Sequence, residues 1–205
     1  MSVVYSENFG AYSVAKALTD NPPNYATTGS SGAWVTAAGL SDKVAQNPTV
    51  GGANWAHAMY NGASYTYTDL TVRCKRGTRA NIFARVTALS AVNSIPSDGY
   101  QVQVLAGSTI LYKGGYATNL GSWAGDPANI NDFTVRLLCN GTSISVYVDG
   151  TLRIGPVTDA TYASGKVGIG TFASTASLFT DISVDNGAVA GSILSPQFMR
   201  RRRRG

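Results

Sequence analysis

Residues able to do acid–base, nucleophilic or metal chemistry are sparse in this chain. Glu7 is its single glutamate, His57 its single histidine, and Cys74 and Cys139 its two cysteines. Glycoside hydrolysis by carboxyl groups needs a pair about 5–10 Å apart, one protonated and one ionised. With one Glu, paired aspartates remain conceivable, yet Asp149 precedes Gly150 and Asp185 precedes Asn186, which is turn chemistry. A polysaccharide lyase needs a base beside a neutralising Arg, Asn or Tyr. His57 stands in Trp55-Ala56-His57-Ala58-Met59-Tyr60, where Trp55, His57 and Met59 share one face of a strand, so it reads as a packed histidine. Neither cysteine is near His57 in sequence, and no Gly-x-Ser-x-Gly elbow or phosphate-binding loop occurs. Both cysteines fall inside apparent strands and read as buried thiols without metal spacing. Asp126 and Asp132 do not reach the density of oxygen ligands that calcium requires. The expectation is no catalytic residue, no metal and no cofactor.

Binding chemistry is better represented. Tyr25, Trp34, Tyr60, Tyr116, Trp123 and Tyr162 are aromatics on apparent loops, the kind of flat apolar surface that sugar sites combine with a few polar groups. Trp123 stands out because Gly121-Ser122-Trp123-Ala124-Gly125-Asp126 offers it few neighbours in sequence. A carbohydrate site here is expected to draw on Trp123, Tyr116, Asp126 and Trp34. A second binding feature is Arg200, Arg201, Arg202, Arg203 and Arg204, five guanidinium groups that repel one another, preceded by Phe198 as an apolar anchor. They account for the whole net charge of +5, so the rest of the chain is balanced. A nucleic-acid face on the body is therefore disfavoured, and the run is expected to dock on a partner.

The elements that position these residues are strands. Short alternating segments bounded by Gly, Asn, Asp and Pro recur through the 205 residues, and the expected strands are Val3–Phe9, Ala33–Ala38, Trp55–Tyr60, Tyr67–Lys75, Ala80–Ala88, Gly99–Leu105, Thr109–Lys113, Asp132–Cys139, Ser143–Val148, Lys166–Thr171 and Leu178–Val184. Asn140-Gly141 and Asp149-Gly150 read as hairpin turns joining a three-stranded meander, and the turn reading of Asn140-Gly141-Thr142 outweighs that of a glycosylation acceptor. The stretches 18–31 and 41–54 read as long loops. So many strands cannot lie in one flat sheet; two stacked antiparallel sheets are expected, as one domain over residues 1–190 with a C-terminal arm at 191–205. There is no basic leader with an apolar run and no apolar stretch of about 18 residues, so synthesis in the cytoplasm and no membrane insertion are expected.

The run Phe133-Thr134-Val135-Arg136-Leu137 through Ile144-Ser145-Val146-Tyr147-Val148-Asp149-Gly150, continued by Gly165-Lys166-Val167-Gly168-Ile169-Gly170 and closed by Phe179-Thr180-Asp181-Ile182-Ser183-Val184, resembles the back half of concanavalin A-like and laminin-G-like domains. The resemblance implies an all-β, two-sheet antiparallel jelly-roll sandwich. It is weaker through Ala80–Val86 and loose in the N-terminal third. The hydrolases of that family carry a Glu-x-Asp-x-x-Glu strand, which a single glutamate cannot supply. The Ala/Thr/Gly/Ser-rich style also resembles virion proteins of tailed bacteriophages. That resemblance implies a non-enzymatic virion protein, capsid decoration or tail-associated, acting as a homo-oligomer (a trimer is the expected state) docked on major capsid or tail proteins. The alternative is an adhesion module recognising host surface polysaccharide.

Overall fold

Period-two alternation puts apolar side chains on one face of each strand, and two sheets bury those faces against each other. The computed structural model describes residues 3–7, 25–29, 35–39, 42–46, 55–60, 62–87, 96–172 and 177–187, with side chains from residue 55 onward. The strands are β1 (Val3–Glu7), β2 (Tyr25–Gly29), β3 (Val35–Gly39), β4 (Asp42–Gln46), β5 (Trp55–Tyr60), β6 (Thr68–Lys75), β7 (Arg79–Val86), β8 (Tyr100–Leu105), β9 (Ser108–Lys113), β10 (Thr118–Ala124), β11 (Phe133–Asn140), β12 (Ser143–Val148), β13 (Thr151–Thr158), β14 (Lys166–Phe172) and β15 (Leu178–Asp185). All pair antiparallel. Sheet A runs β13-β12-β11-β6-β15-β4-β3 with β1 also on β15; sheet B runs β10-β9-β8-β7-β14-β5-β2. This is the all-β jelly-roll sandwich of concanavalin A-like domains.

The core lies between Leu70, Val72, Phe133, Leu137, Val146 and Phe179 of sheet A and Ala58, Ile82, Val102, Leu111 and Ile169 of sheet B. Cys74 and Cys139 are free thiols on that inner face, and burial pushes both up, Cys139 to about 12. Asp149 and Gly150 have φ of 49° and 72°, the doubly left-handed geometry of a tight hairpin, as expected.

Several elements depart from the expectation. Asn140 still pairs with Ser143, so the first hairpin turn is Gly141-Thr142, one residue later than read. β2 and β4 stand within the two stretches read as long loops. β10 occupies the segment read as a Gly-rich loop. Its Gly121 is a matter of space: a Cβ there would lie 2.5 Å from Ile154 Cγ2, because the edge strands of the two sheets close on each other at that side. Trp34, Phe198, Arg200, Arg201, Arg202, Arg203 and Arg204 lie outside the described residues, as does the boundary at 190/191. Among the described residues no helix is long and apolar enough to cross a membrane.

Candidate functional site

The outer face of sheet B is built in rows by strand register. One row crosses the sheet as His57, Gly170, Asn81, Gln103, Ile110 and Ser122; the next as Met59, Gly168, Phe83, Gln101, Tyr112 and Asn119. Trp55, Phe172 and Arg79 begin a third row. These positions alternate with the core, so an antiparallel sheet wetted on its outer side would leave them to water. Instead His57, Asn81, Phe83, Gln101 and Gln103 are buried, each at 3% exposure or less.

The glycines of β14 help explain the packing. A Cβ at Gly170 would meet His57 Cδ2 at 2.4 Å, and one at Gly168 would meet Phe83 Cζ at 2.3 Å, so both rings lean over β14 into space that only glycine leaves. His57 then stacks on Trp55 (centroids 5.7 Å apart, 14° between planes) and meets Phe83 edge-on at 5.8 Å. The histidine is thus packed at 1% exposure.

Above the rows runs a strip of half-buried rings. Phe172 lies 4.3 Å from Trp55, Trp55 5.3 Å from Tyr116, and Tyr116 4.8 Å from Tyr112. Arg79 sits over this strip, 4.5 Å from the Phe172 centroid and 5.9 Å from Trp55, a cation–π arrangement. Tyr116 belongs to the β9–β10 turn, where Gly114, Gly115 and Tyr116 all have left-handed φ (61°, 63° and 68°). That turn carries its ring back over the sheet, where its hydroxyl donates to Asn81 Oδ1 at 3.0 Å. Burial pushes the phenol well above its usual range, partly offset by Arg79. In the second row Gln101 donates to the Pro96 carbonyl at 2.7 Å, while among the described residues its Oε1 has no hydrogen-bond partner. What this face exposes in part is the rings and the Arg79 guanidinium; the amides of Asn81, Gln101 and Gln103 lie buried beneath them, and the row positions named hold no carboxylate.

Of the residues proposed from sequence, Tyr116 belongs to this strip. Trp123 does not; it pairs with Thr109 inside β10, packs against the core, and carries the Arg153 guanidinium 4.3 Å over its ring. The loop reading of Trp123 is therefore corrected: the edge strand found neighbours for it across the sandwich. Asp126 is tied to Arg76 and accepts from the Gly107 N–H at 3.0 Å, contacts that hold its carboxyl below the usual range. It clamps the β8–β9 hairpin and is not gathered with Tyr116. Tyr60 packs against the core, and Tyr162 does so in the loop after β13. Trp55, Tyr112, Phe172 and the amides were not singled out in the sequence. Their signal was present as alternation, Trp55-x-His57-x-Met59 on one strand and Gln101-x-Gln103 on another.

No family model matches the chain, and no curated protein matches it in sequence. Among solved structures it is similar to a protein of unknown function with a galectin-like fold from Bacillus subtilis (TM-score 0.70, 9% identity, 91% of this chain and 96% of that one). It is similar also to the carbohydrate binding module CBM66 from Bacillus subtilis (TM-score 0.59, 15% identity, 78% and 93%). A third is the VIP36 exoplasmic/lumenal domain in its Ca2+/Man-bound form (TM-score 0.59, 12% identity, 83% and 86%). At these identities the likeness establishes the lectin-like sandwich fold.

Proposed function

We propose that the outer face of sheet B is a saccharide-binding platform and that the protein is a non-enzymatic carbohydrate-binding module. One observation carries this reading: the continuous strip Phe172–Trp55–Tyr116–Tyr112 laid over neutral amides, with ring spacings of 4.3 to 5.3 Å. Sugar rings present apolar C–H faces, which suit aromatic side chains. Neighbouring ring planes here are tilted by 40°, 41° and 71°, so each ring offers its own face, and the amides of Asn81, Gln101 and Gln103, at 3% exposure or less, support the rings from beneath. Two of the structural neighbours support it, one a carbohydrate binding module and one holding mannose. The absence of a carboxylate from the rows favours retention of the sugar over cleavage.

The reading is tested by screening the full-length protein on neutral glycans and repeating the titration with Trp55→Ala. Loss of at least about tenfold in affinity is expected. Because Trp55 also packs on His57, Phe172 and Tyr116, the thermal midpoint is expected to fall, and the titration is run well below it. An unchanged affinity in a folded variant overturns it. The assembly reading, in which a lectin-like oligomer docks on capsid or tail proteins through Phe198 and Arg200–Arg204, rests on the sequence alone. Under the platform reading a chain ending at Ser195 keeps its glycan affinity.

A further inference from the structure

Phe83 and Ala84 keep the alternation of β7, one facing out and one into the core. Arg85 breaks it: its φ is 57°, where the register with β14 slips between Lys166 and Gly168, and Val86 returns to the outer cluster with Met59 and Phe83. This bulge turns the guanidinium into the end of the sandwich. There Arg85 is 1% exposed and donates to the carbonyl oxygens of Gly141 (2.8 Å), Tyr162 (2.9 Å), Cys139 (3.2 Å) and Thr66 (2.5 Å). Among the described residues its Nε has no hydrogen-bond partner. Arg73, Arg76, Lys113 and Arg136 each face an aspartate; among the described residues none lies in ion-pairing distance of Arg85. Carbonyl dipoles satisfy the terminal N–H groups but leave a net positive charge in a low-dielectric wall.

Against this charge opens a cavity of about 470 Å³, lined by Arg85 together with Thr66, Tyr67, Thr142, Ala160 and Tyr162. That volume falls in the range of small-molecule sites. Tyr162 is held in place, edge-on to Tyr100 at 5.5 Å and with its N–H donating to the Tyr100 hydroxyl at 3.3 Å. Among the described residues the lining holds no acidic side chain; Asp69 and Asp185 act on the Tyr67 phenol from outside it, opposed by Arg136.

We propose that this end cavity is a second ligand site, taking a sugar ring that bears a carboxylate, of the uronic acid class. Tyr67 and Tyr162 form its apolar walls, the hydroxyls of Thr66 and Thr142 donate at the rim, and Arg85 supplies the counter-charge. Arg85 acts through its field, since its terminal N–H groups already serve four carbonyls. The site is independent of the platform on sheet B.

The test is calorimetric titration of the full-length protein with an oligogalacturonate and with the matching neutral galactose oligomer. The acidic ligand is expected to bind at least about tenfold more tightly, with the difference shrinking as salt is raised. Thr142 is exposed on a turn, and Thr142→Trp, which fills the mouth without altering Arg85, is expected to abolish the preference; Trp55→Ala is expected to leave it intact. Equal affinities, binding of neither ligand, or a preference that survives Thr142→Trp would each overturn the proposal. A preference lost in Trp55→Ala would do the same by assigning it to the platform.

Discussion

The two sheets offer the same alternation to opposite sides of the molecule, yet their outer faces are chemically unlike. On sheet A the outward positions carry ions. Arg136 makes a two-pronged pair with Asp69 at 2.6 and 2.7 Å and lies 4.8 Å over Tyr147, and Arg73 reaches Asp132 and Asp181. On sheet B the outward positions carry amides, rings and glycines, and the middle of the face is as buried as the core. Alternation assigns a side chain to a face. What lies above that face decides whether it behaves as surface or interior.

The largest effect expected from this contrast is at Phe83. It faces outward on β7 but is 1% exposed and packs with Met59 and Val86. Phe83→Ala should cost about 3–5 kcal/mol, as in a core, whereas Leu138→Ala, half-buried on the outer face of sheet A, should cost under about 1 kcal/mol. Urea denaturation of both variants measures the difference. Similar losses would mean that the outer face of sheet B is an ordinary wetted surface.

This contrast also marks what the sequence could convey. The inner face was legible because Val135, Leu137, Ile144 and Val146 alternate with polar residues, and the Asp-Gly turn has one cheap geometry. The candidate site was not, because Asn81, Gln101 and Gln103 alternate with apolar residues just as solvent-facing residues do. Asn81 is capped by the Tyr116 hydroxyl, brought from the turn before β10, a contact far apart in the chain, and Gln101 is tied to the Pro96 carbonyl. Trp123 misled for the complementary reason: its glycine neighbours suggested a loop, whereas Gly121 marks the close approach of an edge strand to Ile154.

A smaller effect is expected at Tyr116. Among the described residues its hydroxyl is the donor to Asn81 Oδ1, beneath a ring that water reaches poorly. Tyr116→Phe keeps the ring contacts and strands that acceptor, for a loss of about 1–2 kcal/mol. Because the contact is a neutral hydrogen bond, thermal unfolding should show the same loss at low and high salt. A loss that disappears in salt would place Tyr116 in an electrostatic role it does not have in this geometry.

The smallest effect belongs to the wetted face, and its signature is its dependence on conditions. Asp132 accepts two hydrogen bonds from Arg73, at 2.6 and 2.7 Å, and these hold its carboxyl below the usual range even though the side chain is 42% exposed. A carboxyl depressed in the folded state adds stability above its unfolded pKa, and that contribution fades as pH falls through the folded value. Solvent screening keeps it small, so Asp132→Asn should cost no more than about 1 kcal/mol near neutral pH. The gap between variant and parent should narrow in salt, and close as pH falls through the folded-state value, which lies below the ordinary carboxylate range. Set beside Tyr116→Phe, this gives one salt-dependent and one salt-independent loss from two hydrogen-bonded residues on the two sides of the sandwich. A salt-independent Asp132→Asn would mean that the charged face is as shielded from water as the amide face, and the distinction between them would fail.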